Sequence, residues 1–305
     1  MKKHAGTENR PCRSMLYIPG DSPGMIQHSP AFGADSILLD LEDAIAPSEK
    51  DAARKMVSTF LDSFDFGSLI VTVRVNPADS EYFENDLKEI VPRTPDAVRL
   101  PKCNEISDVR AADCLIAEIE NDNGIPVGTV KLHAMLETAL GIENAFSIAK
   151  ASPRVAALTI GGQDLTADMG VQKTLEGWEL FYARSRVVMA ARASGVSAFD
   201  TVWTDINDIE GLAKESKQIA ELGFTGKAAI HPGQIETIHE AFRPSPKELA
   251  RAQRVVREAE IALHSGKGVV SVAGRMVDAP VIARAEHLIA LSRLYDYEED
   301  GGGLA

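Results

Sequence analysis

Short apolar runs recur along this chain, separated by longer segments whose apolar positions repeat with a helical period. The runs Ser14–Pro19, Ser36–Asp40, Leu69–Asn76, Ala97–Pro101, Lys131–Leu136, Val155–Ile160, Ser197–Val202 and Lys227–Ile230 read as strands. Amphipathic segments fall between most of them, among them Glu49–Phe60, Ser107–Asn121, Gly141–Ala149, Glu179–Ala193 and Asp208–Leu222. Gly195 and Gly223 stand where two of these helices should stop, since glycine accepts the left-handed backbone of a helix C-terminus. Alternating strands and helices imply parallel strands joined by right-handed crossovers. Eight such units close into a barrel, so the expected class is α/β, a (β/α)8 TIM barrel. A doubly wound open sheet has the same alternation and is the structural alternative.

Beyond Ile235 the pattern changes. Ser245-Pro246-Lys247-Glu248 reads as a capping box with proline at the first helical position, opening a helix to about His264 that Gly266 stops. The segment 268–278 resembles a short hairpin turning at Ala273-Gly274, and a last helix follows with Asp278 as its N-cap. The expected organisation is a flexible tail over 1–12, a catalytic barrel over 13–240, and a C-terminal helical extension over 241–305. That extension is too short to bury much core by itself.

The net charge of −13 argues against a general nucleic-acid-binding role, because phosphate binding needs a basic surface. An acidic chain still binds an anionic substrate where the site itself holds a cation. Cys12, Cys103 and Cys114 match no metal-binding spacing and read as reduced thiols. The N-terminus has basic residues with no apolar run behind them, unlike a secretory signal, and no run is long enough for a membrane span. A cytoplasmic protein is expected.

In barrels of this kind the reactive side chains stand at the C-terminal ends of the strands. The second run ends in Asp40, Glu42 and Asp43, the fourth in Lys102, the fifth in Glu137, the sixth in Gly161-Gly162-Gln163-Asp164, the seventh in Asp200 and the eighth in His231. In the third run Thr72, Arg74 and Asn76 share one face, and Val71, Val73 and Val75 the other. With the valines toward the helices, Arg74 points into the barrel, where a cation needs an anionic partner.

Glu137 and Asp164 suit a hard cation such as Mg²⁺, which keeps waters or substrate oxygens in most of its positions. Arg74 is able to grip a substrate carboxylate with two prongs, and Gly161 and Gly162 to let backbone amides approach a ligand. Such a site favours chemistry on keto or hydroxy acids. Plainer readings stand beside these. Glu137 and Asp164 also suit helix caps. Arg74 also suits a buried pair with Asp40 or Glu42. His231 reads more readily as structural than as a base, and Lys102 as a solvated strand end.

Several motifs in order carry a resemblance. They are RSMLYIPG (13–20), GADSILLDLEDA (33–44), VRVN (73–76), RLPK (99–102), MLET (135–138), GGQDL (161–165), AFDTV (198–202) and GRMVDAP (274–280). Together they resemble the citrate lyase beta-subunit family, which is similar to malyl-CoA and citramalyl-CoA lyases, within the HpcH/HpaI aldolase superfamily. The resemblance spans nearly the whole chain.

It implies a Mg²⁺-dependent carbon–carbon lyase (with Mn²⁺ an alternative ion) that cleaves a 3-hydroxyacyl thioester of coenzyme A into a keto acid and an acyl thioester. It implies Glu137 and Asp164 as metal ligands and Arg74 as the keto-acid contact. Glu42 and Asp43 would orient metal-bound waters, and Gly162, Gln163 and Asp164 would line the substrate. Asp278 would be an acid/base reaching a neighbouring subunit's site in a homotrimer or hexamer. Many relatives that use coenzyme A carry a basic residue near the position of Gly24. Here Arg13, Lys50 and Arg54 remain as candidates for the nucleotide or for a carrier's prosthetic group. Alternatives are the beta subunit of a citrate lyase complex acting on an acyl-carrier thioester, a thioesterase, a malate-synthase-like condensing enzyme, and a non-catalytic acyl-CoA-binding barrel.

Overall fold

The computed structural model describes residues 10, 12–264, 270–272 and 275–299, so the expected N-terminal tail falls largely outside the described residues. The chain divides into two compact units, one covering Cys12–Ala241 and the other running from Phe242.

In the first unit eight parallel strands close on themselves. They are β1 (Ser14–Pro19), β2 (Ser36–Asp40), β3 (Ile70–Arg74), β4 (Ala97–Leu100), β5 (Lys131–Leu136), β6 (Val155–Ile160), β7 (Ser197–Asp200) and β8 (Gly226–Ala229). Each pairs with its successor, and β8 returns to β1 through Lys227, Ala228 and Ala229 opposite Ser14, Met15 and Leu16. Closure rules out the open sheet and leaves this set of strands no bare edge. Met15, Leu38, Ala157 and Phe199 form one buried cluster with Tyr17 packed against it. These residues come from β1, β2, β6 and β7, which only a barrel interior brings together.

The helices between strands follow from the amphipathic pattern. Lys50–Ser63, Ile106–Asp122, Trp178–Ser194 and Ile209–Leu222 match the expected segments to within three residues at each end. Gly195 and Gly223 end two of them in the left-handed region, with φ of 75° and 109°. The expected helix over Gly141–Ala149 is two short ones, Ala139–Glu143 and Ala145–Ala149. They part at Asn144, whose side chain donates to the Asn104 carbonyl (2.8 Å). The β3 ladder ends at Arg74, and the chain beyond it, through Asn76, has left the strand.

In the second unit the Ser245–Glu248 capping box forms as expected. The Ser245 hydroxyl donates to Glu248 Oε2 (2.6 Å) and accepts from the Glu248 amide (3.3 Å), at the head of the helix Pro246–His264. Val270–Val272 and Arg275–Val277 pair antiparallel, and the helix Ala279–Glu299 follows. Gly266 and the Ala273-Gly274 turn lie outside the described residues. Ala252, Val255, Val277 and Ala285 form a small core of this unit's own. Among the described residues no helix is long and apolar enough to cross a membrane.

Candidate active site

The C-terminal ends of the strands carry two adjoining cavities that share Asp164. One of about 500 Å³ is lined by Lys102, Glu137 and Asp164 together with Asp79, Asn104 and Asp168. The other, of about 210 Å³, is lined by Tyr17, Asp43, Arg74, Arg99 and Thr159, with Gly161 to Asp164 on its wall. The fold thus brings Asp43, Lys102, Glu137 and Asp164, from the ends of four strands, to the walls of these cavities, whereas His231 lines neither.

Glu137 is held by backbone rather than by a cation. Its Oε2 accepts the amide of Lys102 at 2.7 Å. Lys102 has φ of 52°, a left-handed conformation that costs a side-chain-bearing residue about 1–2 kcal/mol. Gly161 is needed on the other side, since a Cβ there would lie 2.9 Å from Glu137 Cδ. Glu137 Oε1 is buried with no hydrogen-bond partner. Burial, with the neighbouring Glu42 charge added, pushes the Glu137 carboxyl up to about 8. Glu137 does not cap the next helix; Thr138 does, accepting from the Gly141 amide (3.0 Å). Asp164 stands exposed in the first turn of the helix Gly162–Asp168.

An orphaned, buried carboxylate oxygen beside a second carboxylate is the donor set that a hard cation completes. Among the described residues no larger group of His, Cys, Asp or Glu offers a metal site. Two carboxylates suffice for an ion that keeps most of its waters. A prediction follows from the Glu137 proton. At neutral pH the ion-free carboxyl is mostly protonated, and a cation must displace that proton. Titration with Mg²⁺ at pH 7, in buffers of different ionisation enthalpy, should show release of close to one proton. Apparent affinity should rise with pH until about 8 and then level off. Affinity independent of pH between 6 and 8 would remove Glu137 from the ligand set.

Arg74 points into the barrel as expected, but its two-pronged edge is taken. Nε and Nη2 donate to the two Asp40 oxygens, each at 2.7 Å. Nη1 reaches Asp43 Oδ2 (3.1 Å) and stands 2.8 Å from Glu42 Oε2. Burial works against the guanidinium charge, and the Asp40 carboxylate outweighs it, holding Arg74 firmly charged. The expectation of a two-pronged grip on substrate is not what this geometry presents: the Nε and Nη2 edge of Arg74 is engaged by Asp40. Glu42 is buried between Arg74 and Lys102, whose Nζ stands 3.4 Å away. Burial pushes Glu42 up to about 7 against the pull of Arg74. Asp43 is the carboxylate of this trio that is exposed on the cavity wall.

Both glycine amides assigned to ligand approach are already committed. The Gly161 amide donates to the Leu136 carbonyl (3.0 Å) and the Gly162 amide to Thr201 Oγ1 (3.0 Å). Gly162 is glycine because a Cβ would press on the Thr201 side chain at 2.8 Å. Behind Thr201 lies a fully buried charge quartet. Lys227 Nζ donates to Asp200 Oδ2 (2.9 Å), Glu215 Oε1 (2.7 Å) and the Thr201 carbonyl (2.7 Å). Arg184 forks onto Asp200 at 2.9 Å through both Nε and Nη2. Asp200 is therefore structural, and its network anchors the loop against which Gly162-Gln163-Asp164 is set.

The three proposed nucleotide contacts are corrected as well. Arg13 is buried below the barrel with both prongs on Asp35 (2.9 and 2.8 Å). Lys50 Nζ ties the carbonyls of Leu41 and Glu42 (2.7 and 2.6 Å), and Arg54 donates to Asp86 (2.7 Å). All three are engaged by acceptors of the fold itself, and Arg54 also reaches Asp51. His231 accepts from the Gly233 amide (3.1 Å) and so caps a turn. Asp278 is exposed and caps the helix Ala279–Glu299, its Oδ1 accepting from the Val281 amide (3.3 Å). Arg99 and Tyr17 went unassigned in the sequence, although the alternation that turns Arg74 inward does the same for Arg99 between Val98 and Leu100.

A closed parallel barrel with acidic and cationic side chains collected at its C-terminal mouth defines an enzyme of the barrel class. Residues 13–232 match the family model HpcH/HpaI aldolase/citrate lyase. The citrate lyase subunit beta of Leuconostoc mesenteroides subsp. cremoris is 42% identical over 280 residues, covering 92% of this chain and 93% of that protein. A (3S)-malyl-CoA thioesterase of Cereibacter sphaeroides is 35% identical, covering 92% of this chain and 94% of that protein. The structure of the Mycobacterium tuberculosis protein CitE in complex with magnesium, acetoacetate and coenzyme A superposes with a TM-score of 0.76. It has 30% identity, over 94% of this chain and 99% of that one. The chain belongs to the HpcH/HpaI aldolase/citrate lyase family, and it is a lyase of that kind.

Proposed function

We propose that this protein is a Mg²⁺-dependent lyase that cleaves a 3-hydroxyacyl thioester of coenzyme A, of the citryl, malyl or citramalyl type, into a keto acid and an acyl thioester. The observation that carries the reading is the orphaned Glu137 Oε1, buried beside Asp164 where the two cavities meet. Glu137 and Asp164 would hold the ion, which when bound polarises the hydroxyl and carboxylate oxygens of the substrate.

The remaining work falls to side chains. Arg74, kept charged by Asp40, offers its remaining N–H to the substrate carboxylate. Glu42 fixes Arg74 and Lys102 from below. Asp43, on the cavity wall, takes the hydroxyl proton, and the carbon–carbon bond then breaks toward the thioester. The electron pair passes into the thioester enolate, which an acid must protonate. Asp278 of a neighbouring subunit is proposed for that step, within a homo-oligomer of trimer or hexamer type. Its carboxylate is exposed, and the helix cap engages it through Oδ1.

The C. sphaeroides thioesterase among the relatives supports a second reading, in which water cleaves the thioester at the same mouth. The relatives that are citrate lyase beta subunits support a third, in which the thioester arrives on a carrier protein beside partner subunits. One experiment separates them. Citryl-, malyl- and citramalyl-CoA are incubated with Mg²⁺ and then with chelator, and keto acid and free thiol are both measured. Chelator-sensitive keto-acid release supports the lyase. Thiol release without keto acid supports hydrolysis. No turnover of any ester, with turnover of a carrier-bound thioester, supports the subunit reading.

A further inference from the structure

Arg99 is 1% exposed, yet no carboxylate pairs with it among the described residues. Its Nη1 donates to the Tyr17 hydroxyl (2.9 Å), its Nη2 meets only the Met15 thioether (2.6 Å), and its Nε has no partner. A thioether is a weak acceptor, so the edge formed by Nε and Nη2 is poorly satisfied. His133, opposite Arg99 in the β4–β5 register, brings no compensating charge. Burial and the Arg99 charge push it down to about 3, so it is neutral. Thr159 Oγ1 is also buried without a partner, and it lines the same 210 Å³ cavity as Arg99.

The contrast with Arg74 is direct. Both guanidiniums approach the Tyr17 ring, at 5.4 and 5.8 Å, and both line this cavity. Arg74 is matched by Asp40, Glu42 and Asp43; among the described residues no carboxylate matches Arg99. A buried, unpaired cation is among the most costly arrangements a protein keeps, and a cavity beside it is where its counter-ion enters. The Nε and Nη2 edge of a guanidinium has the spacing of the two oxygens of a carboxylate.

We infer that Arg99, with Tyr17 and Thr159 beside it, forms a subsite for a second carboxylate on the keto-acid half of the substrate. The inference rests on the lyase reading above and narrows it. A keto-acid fragment bearing a distal carboxylate satisfies Arg99. One ending in hydrogen or methyl leaves the cation unpaired and is disfavoured. The citryl type is thus selected over the malyl and citramalyl types.

The test is calorimetric binding of oxaloacetate, pyruvate and α-ketobutyrate in the presence of Mg²⁺. The wild type should bind oxaloacetate about 10- to 100-fold more tightly than α-ketobutyrate, which has a methyl in place of the second carboxylate. Arg99→Met should erase that preference while leaving α-ketobutyrate affinity within about threefold. Arg99→Lys should restore part of it. Thr159→Val, which removes only a partnerless hydroxyl, should lower the preference by several-fold even if Arg99→Met folds poorly. Equal affinity of the wild type for the two acids would overturn the subsite alone. So would an Arg99→Met protein that loses both acids alike. Binding of no keto acid by the wild type would overturn the lyase reading and the subsite together.

Discussion

Glu137→Gln should lower kcat/KM of the Mg²⁺-dependent reaction by about 10³-fold or more, because a ligand lost from the ion removes several kcal/mol of transition-state stabilisation. The fold should survive. The amide oxygen still accepts the Lys102 N–H that now meets Glu137 Oε2 at 2.7 Å, and the side chain keeps its volume beside Gly161. Stability gives an independent readout through pH. The Glu137 carboxyl has its ordinary value of 4.5 when unfolded and about 8 when folded. The folded chain therefore binds more protons across that window, and the stability of the ion-free wild type falls as pH rises from about 4.5 through about 8. In Glu137→Gln that contribution to the fall is absent, so above pH 8 the variant should melt higher than the ion-free wild type. Added Mg²⁺ should raise the wild-type Tm and leave the variant's unchanged. Turnover within tenfold of wild type would sink the metal assignment.

Lys227→Met should destabilise the barrel by about 3–5 kcal/mol, the usual cost of breaking a buried pair from one side. Lys227 is wholly buried and touches Asp200, Glu215 and the Thr201 carbonyl at once. Arg184 reaches both carboxylates and Lys173 stands 3.8 Å from Glu215, so the loss of Lys227 falls on Asp200, which keeps the Arg184 guanidinium as its cationic partner among the described residues. For a unit of this size the Tm should drop on the order of 10 °C. The sign with pH follows from Asp200. Burial alone would raise its carboxyl, but Lys227 and Arg184 hold it well below the usual aspartate range. In the wild type that stabilisation is present above the unfolded value and is lost only in strong acid. In the variant the buried Asp200 charge has lost one of its two cationic partners and is relieved by protonation, so the Tm gap from wild type should narrow as pH falls toward 4. Thr201 also accepts the Gly162 amide, so the variant should lose Mg²⁺ affinity along with stability. Denaturant melts and calorimetry at two pH values check both. A Tm within 2 °C of wild type would mean that the quartet contributes no net stability.

Much of this protein is legible in one dimension. The alternation of strands with helices marks the barrel, because backbone period and apolar period are set locally. The helix stops at Gly195 and Gly223 and the Ser245–Glu248 box are local too, since their partners lie within one turn. The ends of the strands point to Arg74, Glu42, Asp43, Glu137 and Asp164, because a closed parallel barrel carries all its C-terminal ends to one mouth. The ordered motifs point to the family, whose model matches 13–232.

Which charges face the cavity and which serve the fold was settled by partners far away in sequence. Arg13 meets Asp35, Arg54 meets Asp86, Arg184 meets Asp200, and Arg74 sets its forked edge on Asp40. Each of these arginines reads alike in the sequence, since the residue type records a charge and not its neighbour. Arg99 shows the converse: nothing in the run Val98-Arg99-Leu100 says that no carboxylate among the described residues pairs with it. A cation's role is fixed by what desolvates it and what pairs with it. Both arise only when β1, β4, β5 and β6 close around the same interior and bring Tyr17, Arg99, His133 and Thr159 together.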